Sequence, residues 1–133
     1  MKKFKKKVYV PLGVDFLHEG HINILKIAQK YGEVIVGLLT DEAIASYKSI
    51  PILNYKNREL LVKNLKYVSK VVPQTTDDYI NNLNKIKPDF LVHGDDWKYD
   101  NRKRIRTKVI KTLKKWSGKL IEPRYTKNIS SSK

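Results

Sequence analysis

Two of the chain's three histidines stand three residues apart, in the stretch GVDFLHEGHINIL (13–25). From Asp15 to His21 the spacing reads D-x-x-H-x-G-H, where one apolar run ends and an apolar helix pattern begins. A helix start has unpaired N–H groups and a partial positive charge, so it holds anions. Gly20 removes a side chain where an anion has to approach. His18 and His21 are then placed to donate to one phosphate group. That makes a preorganised clamp for a phosphoryl or nucleotidyl transition state. Two solvated turn histidines are the plainer alternative. The spacing and the strand-to-helix position favour the clamp.

Two other stretches carry polar groups at the ends of apolar runs. In HGDDW (93–97) the Gly-Asp-Asp run is, by itself, ordinary turn chemistry. His93 reads as a packing residue at a strand end. Near the C-terminus, ISSS (129–132) offers hydroxyls and backbone N–H groups, and Ser130 and Ser131 suit a helix start.

The elements that must position these residues follow from hydrophobic periodicity. KKVYVPL (6–12) predicts a buried strand, and GHINILKIAQKYG (20–32) a helix with Gly32 as its C-terminal cap. EVIVGLLT (33–40) is a continuous apolar run, as in a strand covered on both faces. A short helix follows with Thr40 or Asp41 as cap. NYKNRELLVKNLKYV (54–68) predicts a longer one with Leu60, Leu61, Leu65 and Val68 inward. Then come a strand in SKVVPQ stopped at Pro73, a capped helix in TTDDYINNLNKIK, and a strand in PDFLVHG. A basic amphipathic helix ending at Gly118 and a short strand in KLIEPRY complete the series. Strands alternating with helices predict an α/β Rossmann-like three-layer fold with a mostly parallel five-stranded sheet. Ligands of such sheets sit at the carboxyl ends of the strands, near the switch point. The loops after Leu12, Thr40, His93 and Tyr125 are therefore the ones expected to matter.

Composition narrows the partners. With 133 residues the chain predicts a single domain, residues 1–133. It has no cysteine, which excludes disulfides and thiolate metal sites. No apolar run approaches the about 20 residues of a membrane span, and the cytoplasm is the expected setting. Lys and Arg number 28 against 13 Asp and Glu, a formal charge of +15. The positive residues are mostly lysine, spread along the whole chain, unlike the clustered arginines and aromatics of a base reader. No nucleic-acid partner is expected, and the helix in KYDNRKRIRTKVIKTLKK reads as solvated. A positive field does steer anionic small molecules.

With these residues in view, DFLHEGH resembles the H-x-G-H signature of the nucleotidyltransferase superfamily, and within it the cytidylyltransferases. GLLTDEAIASYK resembles a second-strand segment that ends in S-T-D-E and leads to a lysine. NYKNRELLVKNLKYVSKVVP resembles the E-x-R helix followed by R-Y-V-D-E-V-I. VHGDDW resembles the M-G-D-D-W loop of glycerol-3-phosphate cytidylyltransferase, and RYTKNISSSK the terminal motif R-T-E-G-I-S-T-T-K. The five segments come in the family's order and cover nearly the whole chain. The chain is also similar to the N-terminal cytidylyltransferase-like domain of some phosphoenolpyruvate mutases, where a tyrosine precedes the threonine as Tyr125 does here. Three positions depart from the pattern. The family glycine six residues before the first histidine is Leu12, with Gly13 one place later. The family arginine of the terminal motif aligns with Tyr125, with Arg124 one place earlier. The glycine of E-G-I-S is Asn128.

The resemblance implies that a phosphate or phosphonate oxygen of a small acceptor attacks the α-phosphorus of CTP and that pyrophosphate leaves. It implies His18 and His21 on the phosphates, and Lys48 on the acceptor phosphate or the α-phosphate. Leu12, Gly13, Asp15 and Gly20 would line the nucleotide, and Arg58 would lie on the helix turned toward it. Asp95 or Asp96 would accept from the cytosine amine, with Trp97 packed near the base. Tyr125, Ile129, Ser130 and Ser131 would meet the β- and γ-phosphates. Mg2+ is expected on the triphosphate, and a homodimer is expected through Tyr67–Val71 of LKYVSKVV. The family's C-terminal helix is missing from the 133 residues, so the domain either lacks it or continues. An ATP-using adenylyltransferase and a degenerate nucleotide-binding regulatory domain are the rival expectations.

Overall fold

The computed structural model describes residues 6–13, 17–45, 53–76, 78–98 and 102–124, without the side chains of Asp96 and Lys98. Five strands form one sheet: β1 (Lys7–Leu12), β2 (Glu33–Leu39), β3 (Lys70–Gln74), β4 (Phe90–Val92) and β5 (Lys119–Ile121). Their order is β3-β2-β1-β4-β5, and every pairing is parallel. Between them run α1 (Glu19–Gln29), α2 (Asp41–Ala45), α3 (Tyr55–Lys63), α4 (Ile80–Ile86) and α5 (Lys103–Lys114). A short 3-10 turn covers Asp95–Lys98. The sequence runs outward from β1 to β3 on one side and from β4 to β5 on the other. The switch point therefore lies between β1 and β4, where the connections diverge and leave a crevice.

The central strands are apolar because both faces are covered. Val8, Val10, Val34, Val36 and Val92 pack with Leu25, Ala28 and Val62 on one side. Tyr9, Ile35 and Leu91 pack with Leu83, Val109 and Leu113 on the other. Gly37 interrupts β2 for a steric reason: a Cβ there would run into the Tyr9 hydroxyl. That hydroxyl crosses over the glycine to donate to Gln74 Oε1 at 2.5 Å, and it accepts from Asn82 Nδ2 at 2.9 Å. Among the described residues no helix is long and apolar enough to cross a membrane.

Several sequence expectations need correction. The helix expected over 54–68 stops at Lys63, and Leu60 and Leu61 are 55% and 49% exposed. Arg58 and Val62, one turn apart, take the inward positions instead, because Arg58 is anchored at the carboxyl end of β2. Leu65 and Val68 do pack on the core. β3 continues through Pro73 to Gln74; it is an edge strand, where a proline needs no ladder partner on its outer side. α1 ends at a Lys30 cap, two residues before Gly32. Gly32 is needed for a different reason, since a Cβ there would strike the Lys6 carbonyl. α4 begins only at Ile80, with no side-chain cap from its N-cap residue Tyr79. Asp78 takes the Ile80 N–H and the Thr76 hydroxyl instead.

Candidate active site

The turn from β1 into α1 explains why histidines open this helix. His18 is the N-cap, with extended backbone (φ −141°, ψ 178°). Its Nδ1 accepts the Gly20 N–H at 3.0 Å, and His21 Nδ1 accepts the His18 N–H at 3.2 Å. This is a reciprocal capping box, built by two imidazoles rather than by the usual hydroxyl and carboxylate. An Nδ1 that accepts an N–H bears no proton, so each neutral ring carries its proton on Nε2. The rings lie 4.0 Å apart and 34° from parallel. Two Nε2–H donors thus stand side by side at the positive end of an 11-residue helix. His18 is exposed and His21 half-buried, while Gly20 is buried against the sheet. Leu12 belongs to the core, and Gly13 lies half-buried just past the end of β1. Asp15 lies outside the described residues.

A second cluster forms at the end of β2. Thr40 caps α2, its hydroxyl accepting the Ala43 N–H at 3.2 Å. Arg58 reaches this turn from α3 and is 1% exposed. Its Nη1 donates to the Leu39 carbonyl at 2.8 Å and its Nε to the Leu53 carbonyl at 3.0 Å. Its Nη2 pairs with Asp41 Oδ1 at 2.6 Å. The other Asp41 oxygen accepts the Tyr55 N–H at 3.3 Å. Expected on a helix turned toward the nucleotide, Arg58 gives one N–H from each of its three nitrogens to the protein. It ties together the two flanks of the segment that carries Lys48, which itself lies outside the described residues. The Arg58 guanidinium also sits 5.7 Å from the centre of the Tyr55 ring. The Tyr55 hydroxyl is buried with no hydrogen-bond partner among the described residues, and burial pushes its pKa up.

The third cluster follows β4. Trp97 is fully buried and donates from Nε1 to Glu122 Oε2 at 2.7 Å. Arg106 grips the same carboxylate with both Nε and Nη2, at 2.6 and 2.8 Å. His93 lies flat on Trp97, the ring centres 3.7 Å apart and the planes 8° from parallel. Trp97, expected near the base, is buried with one face covered by His93. Asp95 is half-buried in the 3-10 turn. The Asp96 side chain and Tyr125, Ile129, Ser130 and Ser131 lie outside the described residues.

The sheet order sets the ends of β2, β1 and β4 side by side, so these three turns share one rim of the molecule. Sequence reasoning gave Asp41 only as a possible helix cap and His93 only as a packing residue, and it missed Tyr55, Tyr79 and Glu122. The order of T-D-E before the arginine of α3 was the signal for the ion pair of Asp41. Among the described residues no three His, Cys, Asp or Glu side chains gather to hold a metal ion.

A profile of cytidylyltransferase-like proteins matches residues 14–133. The ethanolamine-phosphate cytidylyltransferase of Dictyostelium discoideum is 39% identical over 95 residues, covering 68% of this chain and 26% of that protein. The FAD synthase of Aciduliprofundum boonei is 36% identical over 111 residues, covering 77% of this chain and 74% of that protein. The chain thus spans about a quarter of the first relative and about three quarters of the second. A lipopolysaccharide core biosynthesis protein from Thermoplasma volcanium superposes with a TM-score of 0.77 at 25% identity, over 92% of this chain and all of that one.

Proposed function

Because the chain belongs to the cytidylyltransferase-like family, we propose that it transfers CMP from CTP to a phosphate or phosphonate oxygen of a small acceptor. A bond forms between the acceptor oxygen and the α-phosphorus. The bond from that phosphorus to the bridging oxygen breaks, and pyrophosphate leaves with the electron pair. The acceptor is already an anion near neutral pH, so no side chain has to remove its proton. Catalysis then consists of positioning and charge stabilisation. The observation that carries this reading is the pair of Nε2–H groups held by the capping box. Each would donate to a phosphate oxygen whose charge grows in the transition state, and each contributes about 3 kcal/mol by analogy with an oxyanion-hole donor.

The remaining assignments extend this reading. Lys48, on the segment whose flanks Arg58 ties together, would neutralise the α-phosphate or the acceptor. Gly13, Asp15 and Gly20 would line the phosphates, and Tyr125, Ile129, Ser130 and Ser131 the β- and γ-phosphates. Mg2+ would enter on the triphosphate, held by phosphate oxygens and water, and would neutralise the leaving pyrophosphate. The cytoplasm, where nucleoside triphosphates are plentiful, is the proposed setting. A two-fold dimer through Tyr67–Val71 fits the bare Leu60 and Leu61 on the neighbouring helix α3.

A second reading is adenylyl transfer from ATP. The likeness to FAD synthase favours it, since FAD contains an AMP half. Incubation with each nucleoside triphosphate, Mg2+ and a panel of phosphates and phosphonates separates the two. Pyrophosphate release with CTP and one acceptor supports the first reading, and release with ATP alone supports the second. Nucleotide binding without release under any combination would point to a regulatory domain.

A further inference from the structure

The two helix layers of the molecule differ sharply in charge. On one side of the sheet, α1, α2 and α3 hold four acidic residues and four Lys or Arg. On the other, α4 and α5 hold seven Lys or Arg and no acidic residue. A lysine-rich composition would by itself charge both layers alike, so it does not account for the contrast. Lys103, Arg104, Lys108, Lys111 and Lys114 of α5 are exposed, as is Lys115 at its C-terminal cap. Glu122 meets α5 but is taken up by Arg106 and Trp97, so it neutralises none of the six.

This arrangement works against the helix that carries it. Like charges four residues apart repel, and Arg104 with Lys108 and Lys111 with Lys115 are such pairs. Lys103 and Arg104 also stand at the positive end of the helix dipole. A helix that bears these repulsions without a counter-charge of its own is suited to an external one. The shape of the face points to its kind. α4 and α5 pack side by side over Tyr9, Ile35 and Leu91, so their outward cations spread across a broad face and not along a groove. Among the described residues the exposed large hydrophobics are Tyr31, Leu60 and Leu61, all on other elements. The face therefore offers no exposed ring on which a base could stack and no apolar wedge. Cations spread over a surface without stacking or inserting groups complement a flat layer of anionic headgroups.

We propose that the α4–α5 face docks on the surface of an anionic lipid bilayer, held by electrostatic attraction alone. The inference goes beyond the nucleotidyl-transfer reading and does not depend on it. The rim with the His18–His21 turn lies at the strand ends, outside this face, and stays open to small anions.

Co-sedimentation of the 133-residue protein with phosphatidylcholine vesicles, with and without about one-third phosphatidylglycerol, tests it at about 0.15 M salt. At least about tenfold stronger partition onto the anionic vesicles is expected, falling to the phosphatidylcholine level at about 1 M salt. Arg104→Glu, Lys108→Glu and Lys111→Glu in one chain should lower the anionic partition at least about tenfold. Lys26→Glu, Lys30→Glu and Lys63→Glu in one chain give the same net charge by reversing exposed lysines of the opposite layer. That protein should stay within about threefold of the wild type. Glutamine at the same positions serves for either triple variant that does not fold. Equal partition of the wild type onto both vesicles overturns the inference. So does an equal loss in the two folded triple variants, which would trace binding to net charge and not to this face. Binding of oligouridylate RNA through Arg104, Lys108 and Lys111, with no partition onto anionic vesicles, would assign the face to nucleic acid and overturn the inference too.

Discussion

His18 does two jobs that substitution can separate. As N-cap it holds the Gly20 N–H, and as a ring it presents Nε2–H. Alanine removes both, and loss of a cap costs about 1 kcal/mol of stability. Asparagine is a good cap without the distal donor. We expect His18→Ala to lower the unfolding free energy by about that amount and His18→Asn to leave it nearly unchanged, in urea denaturation. Tyr9 offers a pH test. It is fully buried, and desolvation pushes its pKa above the free value of 10.0, against the opposing hydrogen bond from Asn82. The fold therefore favours the protonated phenol. Its contribution is complete below the unfolded pKa and is lost as pH rises past about 10. Tyr9→Phe should flatten that alkaline decline and lower the plateau by about 1–2 kcal/mol, because buried Gln74 Oε1 loses its donor. Equal alkaline slopes in the two proteins would refute the assignment. The histidine pair was legible in the sequence because a short polar motif at a strand-to-helix turn has few uses. Its tautomers were not, since they depend on which backbone N–H each ring accepts. The stack of His93 on Trp97 was not legible either, since sequence shows that an aromatic follows the turn but not what covers it.

At the scale of elements, Arg58 decides how α3 sits. One guanidinium satisfies the carbonyls of Leu39 and Leu53 and pairs with Asp41. Without it two carbonyls lose their partner and a carboxylate loses its cation. Arg58→Ala should therefore cost about 3 kcal/mol. Arg58→Lys should recover little, because a point charge cannot serve three acceptors in a plane. Chemical denaturation measures both, and a loss below about 0.5 kcal/mol would show that α3 does not depend on this clasp. The apolar spacing placed Leu65 and Val68 correctly on the core, but for Leu60 and Leu61 it pointed the wrong face of α3 inward because periodicity counts hydrophobicity alone. It cannot foresee that a buried arginine sets the helix rotation. α5 shows a related tension. Its start holds Arg102, Lys103, Arg104 and Arg106 with no acidic residue in the first turn, against the helix dipole. Arg106 is explained by Glu122.

At the scale of the molecule, the alternation of strands and helices made the parallel sheet readable, since crossover connections leave few topologies. The order β3-β2-β1-β4-β5 then set the histidine turn beside the β4 turn. That proximity joins residues more than 70 positions apart and is invisible to any local pattern. The exposed leucines on α3 belong to this scale too. We expect Leu61→Glu to shift a dimer to monomer in light scattering at tens of micromolar, and a wild-type monomer at that concentration would contradict the dimer. The central claim is that two Nε2–H donors stabilise the transferring phosphate. Its most direct measurement is kcat for pyrophosphate release from CTP with the preferred acceptor, in wild type, His18→Asn and His21→Gln. Both variants keep a capping side chain, so stability should hold while kcat falls about a hundredfold or more with modest change in CTP binding. Folded variants that turn over at the wild-type rate would contradict the account.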